Sequence, residues 1–535
     1  MRSPRPDRRR RSIVAGVVAV VAAIAAFAGA QPAVALSYTS IAGEGSSWAG
    51  QAWVDWIAQA ANEGVTVTYN PNGSSVGRTH FAQQNNAVFA DSEIPFTGDA
   101  SDPADDTLPG FSYGMLPIVA GGTAFMYNLP VNGTRYTKLK LTMDDIAGIF
   151  SGRITNWNQL QADNPGVALP NHQIIVVVRS DGSGATAQFK LWMLRQFPSD
   201  YANLAQHTGG DASHASSYFP TGDFGTCSSS SQPCFTAQNG STGVTTFTVN
   251  TPYSIDYDEY AYALGAAFPV AQVKNAAGFY TLPTAQGVAV ALIKAKINTN
   301  QADPNYLSQD LSDVYKYQDP RAYPMSMYSY EIIPKQTNNV TSTARGATLA
   351  WLSVNAVCEW QRDMGPLGYS PLPMNLVLAS LDQLKQIPGI DSDTSAAISA
   401  TEQGVLKGGA NPCNNPTFQP GDDPSHNVLV DTAPFPSGCD ATCQAPWKLA
   451  GAGTAASGPK QEQQSSTNPT SGTGTNGSVQ EASNVQAVPT TIAGDVGWTT
   501  TQTLGLLAAL LVVLVLLAPP ILDRMLSTRR GRSGP

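Results

Sequence analysis

Two hydrophobic periods alternate along this chain. In "WAGQAWVDWIAQAANEG" (48–64), Trp48, Ala52, Trp56 and Ala60 recur every fourth residue, which predicts a helix with one apolar face. "VTVTY" (65–69) alternates β-branched and polar residues and predicts a strand. "MLPIVAGGTAFMYNL" (115–129) is almost wholly apolar and reads as one long buried strand region. "TMDDIAGIFSG" (142–152) and "TAQFKLWMLRQF" (186–197) return to helical spacing, the second directly after the strand-like run Ile175–Val178. Strands alternating with helices predict an α/β fold with partly parallel sheets. From 376 to 450 the pattern weakens to one helix, "SLDQLKQI", followed by Pro, Gly and Asn. From 451 to 502 periodicity is lost in Gly, Ser, Thr, Asn and Gln, the composition of a flexible linker.

Both ends carry uninterrupted apolar runs. Six arginines in residues 1–12 precede the run Ile13–Ala30, and Ala33-Val34-Ala35 follows, a secretory signal peptide over 1–35. Near the other end, Thr503–Leu522 holds twenty uncharged, mostly apolar residues. As a helix that run is about 30 Å long, the thickness of the hydrocarbon layer. Arg524, Arg529, Arg530 and Arg532 follow in 523–535 and predict a cytoplasmic tail, with everything before the run outside the cell. The expected localisation is the cell membrane, single-pass, with the globular part exposed at the surface.

Removing the two ends changes the charge. Of 30 Lys and Arg, six lie in 1–35 and four in 503–535; of 39 Asp and Glu, one lies in each. The remainder holds 20 basic against 37 acidic residues, a net charge near −17. Bulk attraction to nucleic acid is excluded on that balance. All six cysteines lie in the exported part, an even number that points to disulfides. The expected pairs are Cys227–Cys234, Cys439–Cys443 and Cys358–Cys413, the last two within or reaching a Cys-containing extension over 401–450. The five histidines form no metal-binding motif, and no cofactor motif is present.

Three Gly/Ser loops carry the candidate chemistry: "GEGSSW" (43–48), "NGSSVG" (72–77) and "DGSG" (181–184). Glycine lets backbone N–H groups approach a ligand, serine adds a hydroxyl, and a helix start favours negative charge. Arg179 stands where the apolar strand meets the third loop. It is either the ion-pair partner of a carboxylate such as Asp181 or a bidentate clamp on an oxyanion.

"GEGSSW", "YNPNGSSVG", "FADSEIPF", "VVVRSDGSGAT" and "IDYDEYAYA", in that order, resemble the extracytoplasmic phosphate-binding proteins of bacterial ABC phosphate importers. "AGIFSGRITNWNQL" and "GYSPLP" fit as well, and the resemblance spans about 38–375. It implies a type II, Venus-flytrap α/β fold: lobe I over 36–122 and 328–400, lobe II over 123–327, with crossings in 117–129 and 322–334. It also implies a binding protein rather than an enzyme, with inorganic phosphate as ligand and membrane permease subunits as partners. A surface protein that senses another oxyanion, or a surface phosphohydrolase, are the alternatives. The site carried over is Ser47 and Trp48, where the family usually has threonine and phenylalanine, then Ser74, then Glu93 where the family has aspartate. Asp91 lies two residues earlier. The third loop supplies Arg179, Ser183, Gly184 and Ala185. At Ala185 the family commonly has a hydroxyl residue, and Thr186 is the next hydroxyl along the chain.

Overall fold

The computed structural model describes residues 38–97, 107–220, 234–408 and 413–436, with the backbone of 485–486. The signal peptide, the terminal apolar run with its basic tail, and nearly all of the linker lie outside these residues. Among the described residues no helix is long and apolar enough to cross a membrane.

The chain opens with β1 (Ile41–Gly45), α1 (Gly50–Asn62), β2 (Val67–Asn70), α2 (Ser74–Gln83), β3 (Phe89–Ser92) and the long β4 (Tyr113–Ala124). β1 pairs in parallel with both β2 and β3. The helix expected from the Trp/Ala spacing is α1: Ala52, Trp53, Trp56, Ile57 and Ala60 are buried, and Trp48 is buried just before it. Trp53 stacks on Tyr69 of β2 at 4.9 Å and lies 4.8 Å from Phe89 of β3. Each such aromatic pair adds about 0.5–1.5 kcal/mol beyond its buried area.

After β4 come β5 (Tyr127–Asn128), β6 (Ile175–Arg179), α3 (Gly184–Gln196), β7 (Cys234–Gln238), α4 (Gly240–Asn250) and β8 (Ser254–Asp256). These strands form a second sheet in the order β7-β6-β8-β5, parallel except for β5. β6 is buried from Val176 to Arg179, as its unbroken valine run requires of a central strand.

The chain then returns to the first sheet. β9 (Asp258–Glu259) pairs with the end of β4, and Tyr257 alone separates it from β8. β10 (Ser326–Pro334) runs antiparallel to β4 along its length, and the first sheet reads β9-β4-β10-β3-β1-β2. A bulge interrupts the β4–β10 register between Ser329 and Tyr330. The carbonyl of Ile118, left over on β4, accepts a 2.8 Å hydrogen bond from Gln361 Nε2. Where a coil linker is expected, Val485 and Gln486 pair with Tyr69 and Thr68 at the sheet edge. An edge strand presents unpaired N–H and C=O groups that recruit such a segment.

The C-terminal part is more ordered than its weak pattern implies. α5 (Thr343–Val357) and α6 (Met374–Leu384) pack on the first sheet, and α6 contains the expected "SLDQL" turn. α7 (Ser392–Leu406) is a second helix beyond the one expected. Its apolar face is only Ile398 and Val405, too sparse to show as a period, but Asp391 caps it by accepting from the Asp393 and Thr394 N–H groups. The expected Cys358–Cys413 disulfide is present, and Cys234 is also disulfide-bonded. Cys227, Cys439 and Cys443 lie outside the described residues.

Residues 413–436 then strap back over the body. Asn415 Nδ2 and Thr417 Oγ1 each donate to the Leu372 carbonyl at 2.9 Å. Arg321, buried and paired with Asp319, donates to the Val430 carbonyl at 2.8 Å and sits 5.0 Å from the Phe435 ring centroid.

Candidate functional site

The Gly/Ser loops of the first sheet meet those of the second. Ser74 is the first residue of α2, following Gly73, whose φ of 102° suits glycine. Its Oγ donates to Glu93 Oε2 at 2.9 Å and accepts from the Gly184 N–H at 3.0 Å. Ser75 N donates to the Gly182 carbonyl at 3.0 Å, so the second and third loops are joined by backbone as well. On the other side, Ser47 Oγ lies 3.0 Å from Ser241 Oγ and accepts from Ser241 N at 3.0 Å.

Glu93 is fully buried, and its carboxylate gathers hydroxyls from three segments. Ser46 Oγ donates to Oε1, Ser74 Oγ to Oε2, and Ser329 Oγ lies 2.9 Å from Oε1. Ser329 sits at the β4–β10 bulge, which places its hydroxyl between Glu93 and Asp91 Oδ1, 2.7 Å away. One hydroxyl proton cannot serve two carboxylates. Burial first, and the Glu93 charge second, push the Asp91 carboxyl well above its ordinary range. A protonated Asp91 donates to Ser329, and Ser329 then turns its own proton to Glu93. Trp53 Nε1 holds the other Asp91 oxygen at 2.6 Å.

Arg179 closes the other end. Its Nε and Nη2 engage both oxygens of Asp181, and Nη1 points to Ser241 Oγ at 3.4 Å. Burial by itself would lower the guanidinium pKa; the Asp181 charge and hydrogen bonds outweigh it and hold Arg179 protonated. Burial likewise pushes Asp181 up, and Arg179 brings it below the carboxylate range. The structure thus realises the ion pair open to Arg179 and leaves one guanidinium nitrogen turned to the serines.

Of the remaining expected residues, Ser183 and Gly184 fall at the same junction, while the Ala185 methyl and the Trp48 ring turn into the core. Ser183 caps α3 by accepting from Thr186 N at 3.3 Å, which leaves its own O–H free to donate. Gly184 follows it, against Glu93. Ala185 turns its methyl into the hydrophobic core. Thr186 does not replace the hydroxyl absent at 185, because its Oγ1 is 2.7 Å from Tyr257 OH inside the second sheet's core. The Trp48 ring is buried edge-on to Tyr369 at 6.0 Å, and the Trp48 carbonyl accepts from Tyr369 OH at 2.7 Å.

Three contributors escape the sequence reading: Ser46, Ser241 and Ser329. Ser241 had a signal, since "NGSTG" (239–243) is a fourth Gly/Ser loop leading into a helix. Ser329 had none, being one serine in an apolar strand.

A profile for the PBP superfamily domain matches residues 30–354. "Phosphate-binding protein PstS 2" of Mycobacterium tuberculosis (strain ATCC 25618 / H37Rv) is 31% identical over 314 residues, 58% of this chain and 76% of that protein. The chain belongs to the PstS phosphate-binding protein family. "Phosphate-binding protein PstS" of Xylella fastidiosa (strain Temecula1 / ATCC 700964) is 30% identical over 345 residues, 63% of this chain and 82% of that relative. Among solved structures, a high-affinity periplasmic phosphate-binding protein (PfluDING) bound with phosphate superposes with a TM-score of 0.48 at 18% identity, over 64% of this chain and 93% of that one.

In this PstS family member the approach of the third loop to Glu93 leaves no room for a side chain. A Cβ on Gly184 would stand 2.5 Å from Glu93 Oε2 and 2.8 Å from Glu93 N. Alanine is a good residue for the first turn of a helix. That preference does not offset a clash with the Glu93 backbone, so Gly184→Ala should hold the loops apart and lower the melting temperature. We expect phosphate affinity to fall at least ~10-fold by titration calorimetry; unchanged affinity would show that the two loops need not meet.

Proposed function

We propose that this protein captures inorganic phosphate between its two lobes and presents it to a membrane ABC importer. The lobes are 36–122 with 328–400, and 123–327. The observation that carries this reading is the convergence of Ser47, Ser74, Glu93, Arg179, Ser183 and Gly184, drawn from loops of both sheets, at one buried junction. Serine hydroxyls, α-helix N-termini and one guanidinium nitrogen are donors to an oxyanion. Glu93 accepts the hydrogen bond from a proton carried by phosphate. Sulfate has no such proton at neutral pH and would set its lone pairs against a carboxylate, which gives the site its selectivity. Ala185 supplies only its backbone, so one hydroxyl contact is lost, about 1.5–3 kcal/mol for a bond to an anion. Export by the 1–35 signal and tethering through 503–522 complete the proposal and keep the protein beside its permease.

Titration calorimetry of the purified full-length protein with phosphate and with sulfate tests this. Phosphate should bind and sulfate should not. Binding of neither anion overturns the reading, and hydrolysis of a phosphate ester would return the chain to the hydrolase alternative.

A further inference from the structure

We infer that anion capture in this site takes up one proton, shared between Asp258 and the anion directly or through Ser241, so that Asp258 sets which protonation state of the ligand is preferred. The inference rests on the phosphate-binding reading above.

Asp258 is 5% exposed and lies one serine, Ser241, away from both Arg179 and Ser47. Its Oδ1 accepts from Ser241 Oγ at 2.8 Å and from Glu259 N at 2.7 Å. That same Ser241 Oγ is 3.4 Å from Arg179 Nη1 and 3.0 Å from Ser47 Oγ. Asp258 Oδ2 is buried and meets no hydrogen-bond donor among the described residues. A buried carboxylate oxygen in that position needs either a donor or a proton of its own.

The charges around it leave little choice. Among the described residues Arg179 is the cation whose charge acts on Asp258, and two of its three nitrogens are committed to Asp181. The other groups facing Asp258 are the carboxyls of Asp181, Asp256 and Glu259 and the neutral phenols of Tyr257, Tyr262 and Tyr369. Burial pushes Asp256 and Glu259 far above the carboxylate range, so they add no charge to balance. One guanidinium would then have to offset Asp181, Asp258 and the incoming anion together. Removing the charge of Asp258 with a proton relieves this directly. Asp258 is already raised to about 6 by burial, with Arg179 opposing, and a neighbouring anion raises it further.

The test is phosphate calorimetry on the full chain at about pH 8, in two buffers of different ionisation enthalpy. Wild type should take up close to one proton per phosphate. Asp258→Asn keeps Oδ1 as the acceptor for Ser241 and Glu259 N but cannot ionise. It should take up close to none and bind phosphate roughly 10- to 100-fold more tightly than wild type at that pH, the two converging near pH 5. Asp258→Glu should retain the uptake. Equal proton uptake in wild type and Asp258→Asn, or an affinity ratio that does not change with pH, overturns the inference while leaving the phosphate reading intact. Failure of wild type to bind phosphate overturns both. Should Asp258→Asn fail to fold, the infrared spectrum of wild type decides. A protonated-carboxyl band that grows on adding phosphate at about pH 8 supports the inference, and its absence overturns it.

Discussion

Replacing Arg179 with alanine is expected to remove phosphate binding and to unfold the protein more easily, and the two effects can be separated. Arg179 and Asp181 are both buried and bonded through two nitrogens and two oxygens. Deleting one partner strands the other: Asp181 keeps only the Gly240 N–H at 2.9 Å as a cross-loop donor. Breaking a buried pair in this way costs about 3–5 kcal/mol. In a domain of this size that lowers the melting temperature by roughly 10 °C. In Arg179→Ala/Asp181→Asn no charge is stranded, and most of that stability should return. Binding should not return, because Nη1 is gone. We expect both variants to bind phosphate roughly 10- to 150-fold more weakly than wild type, since one hydrogen bond to an ion is worth about 1.5–3 kcal/mol. A stable double variant that binds normally would show that Arg179 serves the fold alone.

Replacing Glu331 with glutamine should flatten part of the stability–pH curve. Glu331 lies on β10 opposite Asp91, fully buried, with Ser353 Oγ at 3.0 Å as its hydroxyl partner. Burial raises its carboxyl from 4.5 to about 8, against a smaller opposing effect from Ser353. A carboxyl raised in the folded state stabilises fully below its unfolded pKa, and stability is lost as pH rises through the folded pKa. Wild type should therefore weaken between about pH 4.5 and 8 by on the order of 4–5 kcal/mol from this residue. Glu331→Gln mimics the neutral acid, leaves the same donor unmet, and carries no such slope. Urea unfolding across that range should show the two proteins alike near pH 5 and the variant more stable above pH 8. Asp91, Asp256 and Glu259 add slopes of the same sign in both proteins, so the difference curve is the measurement. A difference independent of pH would place the effect in packing.

The α/β alternation was legible because α1, β6 and α3 each bury a face whose period is written in few residues: tryptophans at helical spacing, then an unbroken valine run. α7 was not legible, since its buried face is two residues wide and its start depends on one capping aspartate. In the site, loops with a repeated Gly/Ser grammar announced Ser47, Ser74 and Ser183, and Arg179 stood out as a charge ending an apolar strand. The partners of these residues were hidden for another reason. Ser329 acts through a position fixed by a bulge and leaves no local pattern; Asp258 lies in the quoted "IDYDEYAYA", but its place beside Ser241 depends on a one-residue crossing between sheets that the motif does not reveal. The environment of Thr186 was hidden too: the sequence puts its hydroxyl next to the gap at Ala185, but the helix turns it inward to Tyr257.

The strap over 413–436 bears on where this domain ends. The match to the PBP superfamily profile ends at residue 354, inside α5, before Cys358 and before α6. The packed unit runs on past that point, because Cys358, the Leu372 carbonyl and buried Arg321 find their partners at Cys413, Asn415 and Val430. A fragment cut at residue 354 would bare the side of β4 that α6 covers and would lose the Cys358–Cys413 disulfide. The end of the family profile and the reach of the packing are therefore different places in this chain, and a piece that can be expected to stand alone must extend beyond Val430.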